Sequence, residues 1–158
     1  PSSQTLFDTT VLTANEVKRF NIEPKIALLS YSNFGAFKGL GSPVRVKEAV
    51  KMLHEKHPDL MVDGEMQANY ALNGELRYKR YPFNKLKDHD ANTLVFPNLS
   101  SGNITYKVMQ ALGTAEAIGP VLMGMKKPVH ILQRDSSVRE IINMVAIAVV
   151  DAQSVAEE

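Results

Sequence analysis

The side chains most suited to chemistry lie in the stretch His130-Ile-Leu-Gln-Arg-Asp-Ser-Ser-Val-Arg-Glu-Ile141. Here an apolar run, Pro128 to Leu132, gives way to Gln133, Arg134, Asp135, Ser136 and Ser137 just before a long apolar-periodic segment. The guanidinium of Arg134 is a planar fork of donors. Beside a helix N-terminus, it suits a phosphate or carboxylate better than an ammonium would. The alternative is a surface arginine paired with Asp135. Ser137 and Glu140 have capping-box spacing, in which the carboxylate reaches back to the backbone of Ser137.

Two other polar loops share the same address after a strand. One runs from Ser30 to Ser42 and holds Ser32, Asn33, Gly35, Gly39 and Gly41; the other, Phe96 to Asn103, holds Asn98 and Asn103. In open α/β sheets, ligands bind beyond the carboxyl ends of the strands. The glycines permit close backbone approach but match neither the dinucleotide fingerprint nor the P-loop, and a plain connection is the competing reading. Asp63-Gly64-Glu65 places two carboxylates two residues apart, for acid–base or metal chemistry or as a turn cap. His54 and His57 read as surface residues. Ser32 has no evident His–Asp pairing, so a nucleophilic triad is not supported.

Helices and strands must alternate to position these loops. Ser2 or Ser3 caps a helix whose Leu6, Phe7, Val11, Ala14, Val17 and Phe20 recur at helical spacing up to Pro24. Ile26 to Leu29 is a short, wholly apolar run, as expected of a strand buried on both faces. Ser42-Pro43 starts a second helix, with Ser42 as its N-cap. Strands follow at Leu60–Val62, running into an acidic turn, and at Thr93–Phe96. Ile118–Met123 and Val129–Leu132 are read as two more. Residues 67–90 read as a helix fragment with a surface excursion, and a helix starts near Ser100. The last helix, Val138 to about Ala152, is apolar over most of its surface and calls for burial on several sides, against a partner or a missing domain. The pattern predicts an α/β fold with a mostly parallel sheet flanked by helices.

The totals narrow the function classes. The 158 residues are 44% hydrophobic and can bury one core. With 18 basic and 17 acidic residues, the net charge of +1 leaves no electrostatic footprint for nucleic acid or a membrane surface. No apolar run approaches the roughly 20 residues that span a bilayer. Cysteine is absent, which excludes thiolate metal sites and suits a reducing, cytoplasmic setting. The chain opens Pro1-Ser2-Ser3 without Met, as expected of a piece of something longer.

Several motifs in order resemble the phosphate acetyltransferase family: Ile26 to Gly35, Val62 to Gln67, Leu94 to Leu99 with Gly102-Asn103 and Tyr106-Lys107, Ala115 to Pro120, and Lys127 to Val129. Ser32 to Gly35, Tyr81-Pro82-Phe83 with Leu86-Lys87, and Asn143-Met144 through Gln153 are similar to one branch, the C-terminal domain of large bacterial NADP-dependent malic enzymes. The resemblance implies the second half of a two-subdomain α/β module. Residues 1–137 would form the second subdomain, and 138–158 a helix packing on the absent first one. It also implies acetyl-CoA or CoA as ligand, a homodimer formed through this half, and a higher oligomer joined to an N-terminal malic-enzyme region. NADP and a divalent metal would belong to that region, with no metal or other cofactor in this chain.

Active relatives usually read Asn-Asp-Leu-Ser-Arg-Gly where this chain has His130 to Asp135, with an aspartate a few residues on. The resemblance implicates the serine and aspartate in orienting or deprotonating the CoA thiol, and the arginine in binding. Here Gln133 stands in the serine's place, Glu140 in the aspartate's, and Arg134 is kept. The expectation is a non-catalytic regulatory and assembly module, with Arg134, Gln133, Ser32, Asn33, Asn98 and Asn103 as ligand-binding candidates. The competing expectations are an active phosphate acetyltransferase and a purely structural dimerisation domain.

Overall fold

The structure, a computed structural model, describes residues 1–113 and 117–156. The start of the Ala115 to Pro120 motif lies outside them. In chain order the elements are α1 (Ser3–Arg19), β1 (Lys25–Leu29), α2 (Ser42–Lys56), β2 (Met61–Met66), α3 (Ala68–Ala71), α4 (Gly74–Arg80), β3 (Thr93–Val95), α5 (Leu99–Leu112) and α6 (Val138–Ala156). The chain divides into two compact units, Pro1–Tyr106 and Lys107–Glu158, and the division falls within α5.

The first unit is organised by β1, the middle strand of a parallel sheet ordered β2-β1-β3. Successive side chains of a strand point to opposite faces. Accordingly, Ile26 and Leu28 join α1 and α2 in one apolar cluster, with Leu6, Val46, Leu53 and Val62. Ala27 and Leu29 join another on the far face, with Met66, Ala71, Leu86 and Ala91. Burial of each Leu or Ile stabilises the fold by roughly 1.5–3 kcal/mol. The continuous apolar run expected of a doubly covered strand is what the structure contains.

α1 starts where Ser2 Oγ accepts the Thr5 N–H at 3.0 Å. It buries Leu6, Phe7, Thr10 and Ala14 on one face, and the Thr10 hydroxyl donates to the Leu6 carbonyl at 2.7 Å, so its polar group is satisfied in the core. Phe20, expected in the apolar stripe, is exposed, because it lies beyond the last turn. At α2 the cap falls one residue earlier than expected. Gly41, at φ 135°, is the N-cap, and Ser42 and Pro43 occupy the first two helical positions. Proline fits there because its missing N–H would have no helical partner.

β2 carries the acidic Asp63-Gly64-Glu65 within the strand, contrary to the turn expected at its end. The ladder pairs Leu28 with Gly64 and then Leu29 with Met66, so Glu65 is an extra residue, a β-bulge. Gly64 has φ 155°, and a Cβ there would lie 2.6 Å from the Leu28 carbonyl oxygen. Only glycine lets the two strands approach this closely.

The far face of the sheet is closed by residues 67–91; where the sequence predicts a helix fragment and a surface excursion over 67–90, the chain forms two short helices and packs on the sheet. Their organiser is Arg77, fully buried on α4. Its guanidinium donates to the carbonyls of Tyr70, Ala71, Lys87 and His89 and to Asn84 Oδ1. Burial pulls its pKa below the ordinary arginine range, opposed by the nearby Asp90, Asp63 and Asp88.

In the second unit, the two strands expected at 118–123 and 129–132 are absent; these described residues form no sheet ladder. Pro120 and Pro128 remove N–H donors, and Gly119 and Gly124 take φ of 135° and 76°, which interrupts an extended path. His130 therefore does not alternate along a strand. Its ring is almost wholly buried, with Nε2 3.6 Å from Asp151 Oδ2 on α6. Of the apolar residues described on α6, Met144 is buried, while Val138, Ile142 and Val145 stay largely exposed, so the several-sided burial expected of this helix is not met within the chain.

Two substitutions test these constraints in denaturant unfolding. Gly64→Ala should lower stability by about 2 kcal/mol or more, since the added methyl overpacks against backbone at a disfavoured φ. Arg77→Met should cost about 3 kcal/mol or more by stripping donors from buried carbonyls.

Candidate functional site

The loop after β1 is tied to the end of β2 by the bulged residue. Glu65 Oε1 accepts from Ser32 Oγ at 3.2 Å and from the Gly35 N–H at 2.6 Å. Ser32 Oγ in turn accepts the Phe37 N–H at 3.1 Å. The Phe34 N–H donates to the Glu65 carbonyl at 2.7 Å, which holds Phe34 at φ 47°, a conformation uncommon for a bulky residue. Asn33 Oδ1 accepts the Gln67 N–H at 2.8 Å, and the Gln67 side-chain amide donates to the Tyr31 carbonyl. The Phe34 ring packs with Tyr81 and Phe83, 4.7 and 5.3 Å between centroids. Ser32 and Asn33 thus spend their side-chain oxygens on shaping the loop. The backbone N–H groups of Phe34, Gly35, Ala36 and Phe37 are engaged within the protein as well.

The neighbouring carboxylate is also internal. Asp63 Oδ1 accepts the Gly64 N–H at 2.9 Å, and Oδ2 the Lys85 N–H at 2.6 Å. Burial raises its pKa, against the lowering effect of those two amides, His54 and Lys85. His54, expected at the surface, is half-buried. Its Nε2 lies 2.9 Å from the Val62 carbonyl, which can only accept, and 3.9 Å from Asp63 Oδ1. His57 is likewise half-buried, its ring 5.6 Å from that of Phe7. Among the described residues, no group of three or more His, Cys, Asp or Glu could hold a metal ion.

At the start of α5, Asn98 Oδ1 accepts the Ser101 N–H at 2.9 Å, and the Asn98 carbonyl accepts Gly102 N–H and Ser101 Oγ. Asn98 is thus engaged as a cap, and Asn103 is exposed on the helix. These two, with Ser32 and Asn33, lie in the first unit; Gln133, Arg134 and Glu140 lie in the second.

In the second unit, the turn before α6 is a closed capping box. The Ser137 N–H donates to Glu140 Oε2 at 2.6 Å, and the Glu140 N–H to Ser137 Oγ at 3.3 Å. The amide and the hydroxyl of Ser137, in that order, hold the Glu140 carboxyl below its ordinary range, with a smaller contribution from Lys107. Arg134 is exposed and makes no ion pair with Asp135 or with any other described residue. Gln133 is exposed, its carbonyl accepting the Ser136 N–H.

Sequence spacing had singled out the capping box and the three loops. It missed Glu65 as the anchor of the first loop, because that contact spans 30 residues and depends on the register of β2 against β1. The signal that existed was a glycine inside a strand, which often marks a bulge or a close backbone approach.

Glu140→Gln should lower the helicity of α6, read by circular dichroism against the parent chain. A depressed carboxylate pKa stabilises above its unfolded value of about 4.3, and that contribution is lost as pH falls through the folded value. The difference between the two chains should therefore be full at pH 7 and shrink on acidification below that value.

This architecture and these motifs recur in known proteins. The family described as phosphate acetyl/butaryl transferase matches residues 1–149. The NADP-dependent malic enzyme of Haemophilus influenzae is 46% identical over 153 residues, 97% of this chain but 20% of that protein. The phosphate acetyltransferase of Clostridium acetobutylicum is 42% identical over 154 residues, 97% of this chain and 46% of that one. Among solved structures, a phosphotransacetylase from Streptococcus pyogenes superposes with a TM-score of 0.86 at 40% identity, covering all of this chain and 46% of its own. The chain thus spans a fifth of the Haemophilus influenzae malic enzyme and just under half of the Clostridium acetobutylicum phosphate acetyltransferase. With a match over nearly its whole length, it belongs to the phosphate acetyl/butaryl transferase family.

Proposed function

We propose that this chain is the phosphotransacetylase-like part of a malic enzyme, binding acetyl-CoA to regulate and assemble that enzyme without transferring acetyl groups itself. One observation carries the reading. The residue in the place of the family's aspartate, Glu140, has its carboxylate committed to the Ser137 amide at 2.6 Å. A carboxylate held in a helix cap is a poor base, and its depressed pKa weakens it further. Gln133, in the serine's place, carries an amide that neither deprotonates a thiol nor attacks a carbonyl. Arg134 makes no ion pair with any other described residue, which suits a phosphate of CoA. The homology to malic enzymes supports the parent enzyme, with NADP and the divalent metal in its other region. Regulation then requires that acetyl-CoA bind two states of the oligomer with different affinity.

The phosphate acetyltransferase relatives, at 42% and 40% identity, favour a second reading in which the chain is half of an active acetyltransferase. The complete enzyme distinguishes the two. Acetyl-CoA should change its rate of malate oxidation, and no acetyl phosphate should form from acetyl-CoA and phosphate. Arg134→Ala should raise the acetyl-CoA concentration for half effect about tenfold to a hundredfold, as expected for one charged hydrogen bond. Rapid acetyl phosphate formation, abolished by Arg134→Ala, would establish the transferase. No CoA binding by calorimetry, with unaltered malate oxidation, would leave only a dimerisation role.

A further inference from the structure

The anchored loop and β2 also form one wall of a cleft of about 550 Å³, lined by residues between Phe34 and Lys85. α2 contributes Lys47 and Lys51, one turn apart, and Lys85 lies on the strand side. None of these three ammonium groups makes an ion pair with a described residue. Glu55, Asp63 and Glu65 line the same cleft, so its charges nearly balance.

Asp63 and Glu65 make no ion pair with these lysines within 4.0 Å, although the Lys85 charge is felt by Asp63. Both Asp63 oxygens accept backbone N–H groups, and Glu65 Oε1 accepts from Ser32 and Gly35. Glu65 Oε2 has no hydrogen-bond partner among the described residues, although Glu65 is 1% exposed. A buried oxygen left without a donor is destabilising, the more so when charged. A lining of unpaired ammonium groups beside an unsatisfied carboxylate oxygen asks for a molecule with both an anion and a donor. The volume falls in the range of small-ligand sites, about 300–1,000 Å³.

We propose that this cleft binds a small molecule carrying a phosphate or carboxylate and, a few bonds away, a hydroxyl or ammonium donor. The anion would sit among Lys47, Lys51 and Lys85, and the donor would complete Glu65 Oε2. That oxygen lies beneath the accessible surface, so the donor arrives with a side-chain shift. Lys47 is the flexible group at this end, its Nζ 3.0 Å from where a Cβ on Gly35 would sit. The inference uses residues of the first unit alone and does not rest on the acetyl-CoA reading.

Calorimetric titration of the 158-residue chain tests it, with glycerol 3-phosphate as the hydroxyl probe, phosphoethanolamine as the ammonium probe and inorganic phosphate as the one-ended control. At least one two-ended probe should bind saturably, about tenfold or more tighter than phosphate. Lys47→Ala and Lys51→Ala should each weaken it about tenfold, while Lys126→Ala, outside the cleft, leaves it unchanged. Glu65→Gln should remove the advantage over inorganic phosphate; if that variant does not fold, the lysine variants decide. Neither probe exceeding phosphate, or binding indifferent to Lys51→Ala, would overturn the proposal.

Discussion

The carboxylate of Glu65 is internal because β2 has one more residue than β1 between two ladder positions. A regular strand would place residue 65 in register and direct its side chain according to the pleat. The extra residue releases it from that alternation, and its oxygen reaches the loop after β1. The loop conformation depends on this contact. Phe34 would not hold a positive φ unaided, and the Gly35 amide would lack its acceptor. Gly64 makes the bulge possible, since the Leu28 carbonyl occupies the space a side chain would need.

A second buried charge does comparable work on the other face. Residues 67–91 contain only two short helices, and Ala71, Leu86 and Ala91 are their buried apolar residues, so hydrophobic burial alone does little to order them. Arg77 supplies donors to carbonyls at both ends of the segment and draws it over Ala27 and Leu29. The arrangement is stable because each buried acceptor meets a donor and the cation is surrounded by oxygen. Glu65 and Arg77 together convert an irregular stretch of chain into a defined surface beside the sheet.

The two units differ in how far they satisfy themselves. The first closes its core on both faces of β1. In the second, Val138, Ile142 and Val145 remain open on α6. The chain spans about half the length of the Clostridium acetobutylicum and Streptococcus pyogenes proteins it matches.

Local signals in the sequence were sufficient for α1, β1, β2, β3, α6 and the capping box, because each depends on side-chain period or on a contact three residues away. Ser137 and Glu140 meet through one helical turn, so spacing alone implies their bond. The short runs at 118–123 and 129–132 were misread, since apolar composition cannot show whether a neighbouring strand exists to pair with. His54 looked like a surface residue for a similar reason: its partner is a carbonyl eight residues away, on another element. The sequence by itself determined the α/β pattern, the doubly buried β1 and the Ser137–Glu140 capping box, all of which are properties of residue type and local order. Only the tertiary structure decided that Glu65 anchors a loop 30 residues away, that Arg77 is a core residue and that three lysines share a cleft with an unsatisfied carboxylate. Those facts depend on strand register and long-range packing, where a single residue's offset redirects a side chain from one environment to another.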